Sequence, residues 1–153
     1  MQISGKRGLY YMENPKEDTG TKKDLCLYRI QTVKENLNAA RILLAAGEYK
    51  SSNNRSYYAV FHAINAIHAL NGKAFKRHKD AIGNFNKDYV KNEIFPREIG
   101  RKIGQAEEIR HASDYDDFYI ASREEAEQQA MTADEFIRMA EEYCMKKLEN
   151  TQD

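Results

Sequence analysis

The run from Asn53 to Gly72, N-N-R-S-Y-Y-A-V-F-H-A-I-N-A-I-H-A-L-N-G, constrains this chain more than any other stretch. It holds no Pro, and Gly only at its end, where Asn71-Gly72 makes a common helix C-terminal pair. Tyr57, Phe61, Ile64, Ile67 and Leu70 recur every three or four positions, the period of a helix with one buried stripe. Ala59, Ala63, Ala66 and Ala69 widen that stripe and let another helix approach closely. Arg55, His62, Asn65 and His68 put polar groups among the apolar ones. A helix of this kind reads as the centre of a helical domain.

The flanking stretches supply partners for it. From Lys23 to Ala46, the spacing of Cys26, Ile30, Val33, Leu37, Ala40 and Leu44 predicts a bundle helix. Gly47 ends it, and the short link Gly47–Tyr49 makes the central helix return antiparallel. A short helix is predicted from Lys79 to Val90, with Ile82, Phe85 and Tyr89 inward, followed by a connection from Lys91 to Phe95. Pro96 stands in the first turn of a further helix, which runs to Ser113 through Ile99, Ile103 and Ala106. Gly100 and Gly104 each cost about 1 kcal/mol inside a helix, so a close backbone approach across a dimer is expected there. Ser122 and Glu125 form a capping box for the last helix, whose stripe is Ala126, Ala130, Ala133, Ile137, Ala140, Cys144 and Leu148. No alternating strand pattern or internal repeat appears. The fold class is all-α, an up-and-down antiparallel four-helix bundle with one additional short helix. It occupies residues 23–150, behind a lead-in of residues 1–22 that carries Tyr10-Tyr11.

Charge narrows the function classes. The formal net charge of the 153 residues is zero, which gives no bulk polyanion-binding signal, but the distribution is uneven. Residues 112–153 hold 4 Lys+Arg against 12 Asp+Glu, leaving a more basic body before an acidic last helix. Cys26 and Cys144, remote in sequence and without spaced His partners, read as reduced thiols, not as a disulfide framework or zinc site. No apolar run approaches the ~18 residues of a membrane span, and the N-terminus lacks a signal-peptide core. The expectation is a cytoplasmic protein with no membrane partner, no cofactor and no metal.

Phosphate-binding glycine loops, zinc-protease motifs and nucleophile elbows are absent. Two polar clusters remain. Arg55 and His62 are seven apart on one helix face, where an Arg can stabilise phosphate charge and a His can move a proton. A structural reading pairs Arg55 with an acidic residue and bonds His62 to another helix. In the second cluster, Arg110 and Asp114 are one turn apart, the spacing of a charge-assisted pair. His111 points about 100° away from Arg110. Asp114, Asp116 and Asp117 could hold a divalent ion, though capping and solvation are the commoner use of such loops.

The segments R-S-Y-Y-A-V-F-H-A (55–63), G-K-A-F-K-R-H (72–78), F-N-K-D-Y-V (85–90), R-H-A-S-D-Y-D-D-F (110–118) and S-R-E-E-A-E-Q-Q-A (122–130) together resemble the prokaryotic HEPN domains. The resemblance covers about residues 23–148. It implies an all-α bundle that forms a homodimer, in toxin–antitoxin or defence systems beside a small nucleotidyltransferase. Nucleotide or RNA binding is expected at Arg110, Asp114, Tyr115, Arg55 and Tyr58, and the resemblance makes Tyr115 a possible acceptor of modification by the partner. Catalytic members pair an Arg with a His four to six residues later, in a metal-independent RNase site at the dimer cleft. Here Arg110 is followed at 115–117 by Tyr-Asp-Asp, with no His. The first expectation is therefore a dimeric nucleotide-, RNA- or partner-binding module. The alternative is a divergent RNase toxin using Arg55, His62, Arg110 and His111, and a third reading gives the polar residues a purely structural role.

Overall fold

The computed structural model describes residues 18–151. Five α-helices make up the described chain: α1 (Asp18–Ala45), α2 (Tyr49–Leu70), α3 (His78–Phe85), α4 (Arg97–Tyr115) and α5 (Arg123–Thr151). A π-helical turn, Asn86–Val90, extends α3. No strand occurs among the described residues.

The pairing of side chains fixes the helix directions. On α1 and α2, Ser52 Oγ donates to the Ala40 carbonyl at 2.8 Å and Arg55 Nη1 to Asn36 Oδ1 at 3.2 Å. On α2 and α4, Tyr58 meets Arg110 and Asn54 meets Asp114. In both sets one number rises as the other falls, so α1 and α4 run antiparallel to α2. Lys34–Glu141 and Arg41–Asp134 give the same relation between α1 and α5. The four long helices thus go up, down, up and down, with α3 inserted before the third. All four other helices pack against α2.

This position follows from the α2 sequence. Tyr57, Ala59, Val60, Phe61, Ala63, Ile64, Ala66, Ile67 and Ala69 are all buried, so the helix is apolar on several sides and cannot sit at a surface. Cys26, Ile30, Val33, Leu37 and Ala40 of α1 are buried against it, as are Ile99, Ile103 and Ala106 of α4. Gly47 and Gly72 end α1 and α2 with φ of +82° and +72°, the left-handed region that glycine enters without steric cost. Behind Gly72, the Lys73 N–H returns to the His68 carbonyl at 2.9 Å. At the start of α5, the Glu125 N–H bonds Ser122 Oγ at 3.0 Å. The predicted cap therefore forms on one side, while the Glu125 carboxylate turns instead to Tyr119 and Asn53.

Several boundaries differ from the sequence reading. Helix α1 starts at Asp18, inside the stretch assigned to the lead-in, while residues 1–17, with Tyr10-Tyr11, lie outside the described residues. Pro96 is extended (ψ 147°) and stands just before α4. The predicted α5 stripe omits Phe136, which is fully buried among Phe85 and Phe95. Phe95 itself is an anchor of the core and not merely part of a connection. Cys26 and Cys144, remote in sequence, are both fully buried in one core, where the Cys144 thiol lowers the Cys26 pKa. His68 is also fully buried, its Nε2–H donating to the Ala81 carbonyl at 2.9 Å.

The two helical glycines expected at a dimer contact separate in their roles. A Cβ on Gly100 would lie 2.9 Å from Val90 Cγ1, so its small size is required within this chain, by the π-helical turn. A Cβ on Gly104 would meet nothing within 4 Å. Gly83 of α3 is equally open. Gly83→Ala should therefore raise stability by about 1 kcal/mol through helix propensity alone. Gly100→Ala should lower stability, because crowding of Val90 outweighs the same gain. Urea denaturation of the two variants checks the opposite signs.

Candidate functional site

At the C-terminal end of α4, Arg110 reaches back across α2. Its Nη2 donates to the Tyr58 hydroxyl at 3.0 Å, and its Nε lies 3.0 Å from Asp114 Oδ2, one turn further along the same helix. The Nε–H is not aimed at that oxygen, so the Asp114 contact is an ion pair more than a directed hydrogen bond. Asn54 of α2 holds the other Asp114 oxygen at 3.4 Å. The guanidinium carbon is 5.4 and 5.6 Å from the Tyr57 and Tyr58 ring centroids, within cation–π range. Side-chain exposures of 21% for Arg110 and 30% for Asp114 keep the pair in reach of a ligand. Arg110 is thus a permanent cation set in place by groups from two helices.

His78, the first residue of α3, completes the cluster. Its ring stacks on Phe61 at 3.8 Å between centroids and stands edge-on to Tyr58 at 5.7 Å. Its Nδ1 is 2.9 Å from the Tyr57 hydroxyl. Burial, aided by nearby Glu107, holds the Tyr57 hydroxyl pKa well above the ordinary tyrosine range. Tyr57 therefore keeps its proton and donates it, which leaves the neutral His78 proton on Nε2. Burial first, and the Arg110 charge second, push the His78 pKa below its ordinary value.

The other sequence candidates fall around this centre. Tyr58 and Asp114 join Arg110 as expected. Tyr115 is 67% exposed, its ring tilted against His111 at 4.9 Å. His111 faces away from Arg110 and makes no pair with it. Arg55 is exposed and bonds the neutral Asn36, not an acid. His62 flanks Tyr58 at 6.3 Å between centroids, and its pKa is lowered by burial, then by the Arg29 and His78 charges. Asp114, Asp116 and Asp117 do not converge, since Asp114 faces Arg110 while Asp116 caps the Phe118 N–H at 3.0 Å. Among the described residues, no group of three or more His, Cys, Asp or Glu is arranged to hold a metal ion.

Sequence reasoning missed His78, Tyr57 and Asn54 as site residues. Tyr57 was legible only as a core position, and His78 is 21 residues away from it. The K-R-H run before the short helix was the available signal, but helix spacing cannot show that it folds back onto α2.

Three comparisons bear on this arrangement. The HEPN domain model matches residues 27–143. A Thermotoga maritima protein named only as a UPF0332 protein is 27% identical over 76% of this chain and 88% of its own. A Methanocaldococcus jannaschii protein carrying the name "putative toxin" is 36% identical over 56% of this chain and 64% of its own. A second of that name, from the same organism, is 25% identical over 77% and 80%. The crystal structure of a Thermus thermophilus protein matches with a TM-score of 0.65 at 19% identity, covering 76% of this chain and 96% of that one. This last likeness is one of fold.

The histidines give a pH test. His62, His68 and His78 all have pKa values below the ordinary 6.5, with burial the main cause. The folded state therefore binds fewer protons than the unfolded one as pH falls through that value. Their contribution to stability is complete above about pH 6.5 and is lost below it. The urea midpoint should fall between pH 7 and pH 5. His78→Phe, which keeps a ring on Phe61 but cannot be protonated, should make that fall shallower.

Proposed function

This chain belongs to the HEPN family, and from that premise we propose that it is a dimeric, toxin-type module that binds the phosphate of a nucleotide or RNA at Arg110. The single observation that carries the reading is the setting of Arg110. A surface ion pair needs only Asp114, yet here Tyr58, Tyr57 and Asn54 of another helix also help fix the guanidinium and its carboxylate. Such preorganisation lowers the ordering cost of gripping an anion. His78 Nε2–H provides a second, neutral donor beside the cation. Tyr115 projects from the same helix end, where a partner nucleotidyltransferase in the same cytoplasm could reach its hydroxyl. The names of the two archaeal relatives support the toxin assignment. The dimer contact is proposed for the α4 face at Gly104, where space remains open.

One observation favours a second reading, a metal-independent RNase. A neutral His78 beside Arg110 supplies the imidazole that the sequence around 115–117 lacks. The quartet Arg55, His62, Arg110 and His111 is not itself brought together, because Arg55 turns to Asn36 and His111 to Tyr115. RNA cleavage by the purified chain that disappears in His78→Ala would favour this reading over simple binding.

Arg110→Gln should weaken binding of a fluorescent AMP analogue at least tenfold while the circular dichroism spectrum stays helical. If the variant mainly loses thermal stability and AMP binding persists, Arg110 is structural. Tyr115→Phe should keep the fold and AMP binding, and should remove the label transferred from ATP by the cognate nucleotidyltransferase. Transfer that persists in Tyr115→Phe places the acceptor elsewhere.

A further inference from the structure

The outer face of α2 carries an unneutralised cationic track that the Arg110 cluster does not account for. Arg55, Tyr58 and His62 lie at positions i, i+3 and i+7, one stripe of the helix. Helices α1 and α4 pack on α2 from either side, so this stripe forms the floor between them. The register set by Ser52–Ala40 and Arg55–Asn36 places Arg29, two turns before Asn36, opposite His62, two turns after Arg55.

Arg29 is half-buried, and its Nε is enclosed without an acceptor. Burial lowers its pKa, and no carboxylate is among the groups that act against this. Neither Arg29 nor Arg55 forms an ion pair among the described residues, in a chain where Lys34 and Arg41 of the same α1 both find acids on α5. A buried guanidinium N–H without an acceptor is an uncommon feature and calls for an anion. Tyr58 joins the two ends of the track. It bonds Arg110 on one side and flanks His62 on the other.

We propose that Arg29, Arg55 and His62 form a second anion subsite that continues the Arg110 pocket along α2, gripping successive phosphates of a nucleic-acid strand. The proposal rests on the Arg110 reading above and adds to it a ligand longer than one nucleotide. Tyr58, half-buried between the two cationic ends, is the aromatic ring on which a base would stack.

The experiment compares AMP with eight-residue oligouridylate and oligothymidylate by fluorescence anisotropy, across a salt series. Each phosphate neutralised on a single strand adds about 0.7 to the log–log salt slope. Arg29→Gln and Arg55→Gln should each weaken binding of the tighter oligonucleotide three- to tenfold and lower its slope by about 0.7, with AMP binding unchanged. Arg110→Gln should weaken both ligands. If Arg29→Gln and Arg55→Gln leave affinity and slope unchanged while Arg110→Gln abolishes binding, the subsite is refuted and the Arg110 reading stands. If Arg110→Gln changes neither ligand, the Arg110 reading fails, and the subsite with it. Should Arg29→Gln not fold, the exposed Arg55→Gln decides alone.

Discussion

Burial of α2 on most of its sides is the constraint that the rest of the molecule answers. A helix that hides Tyr57, Val60, Phe61, Ile64 and Ile67 must be surrounded, and each such side chain contributes about 1.5–3 kcal/mol when taken from water. Helices α1 and α5 cover much of it with Cys26, Val33, Leu37, Ala133, Phe136 and Cys144. The short α3 and its π-helical turn fill the remaining end, where Phe85 and Tyr89 stack at 5.4 Å. Gly100 lets α4 close against that turn. Encasement leaves one stripe of α2 less covered, and Asn54, Arg55, Tyr58 and His62 lie along it.

That origin explains what holds the candidate site together. Tyr57 is a core residue buried with its hydroxyl, so the packing that holds its ring also aims its O–H at His78. Tyr58, the next residue, turns outward to Arg110. A displacement of either would disturb the contact of α2 with α4. The site is therefore supported by the bundle itself, without a loop to order. Removing the Tyr58 hydroxyl would free Arg110 without opening a cavity.

Much of the fold was legible because it depends on local periodicity. The stripes on α1, α2, α4 and α5 and the stops at Gly47 and Gly72 are statements about neighbours in sequence. Phe136 escaped because Ile137 beside it satisfied the same stripe, and a wide apolar face admits both. Gly100 was read as a contact between chains because sequence spacing cannot tell an internal neighbour, Val90, from an external one. The site was legible in part. Arg110 with Asp114 is a one-turn spacing, but Tyr58 is 52 residues from Arg110, and no local pattern ties the two together. His78 was invisible as a partner of Tyr57, since nothing local says where a loop after Gly72 returns.

The central claim is that Arg110 is held ready for an anion, with Tyr58 and Asp114 as its supports. It is tested most directly by side-chain NMR of the arginine Nε–H groups during titration with AMP. The account predicts that the Arg110 Nε resonance moves saturably, while those of Arg101 and Arg138, which sit in exposed ion pairs with Glu98 and Asp134, stay in place. An Arg110 resonance that does not move at saturating AMP, or that moves no more than those two, would contradict it.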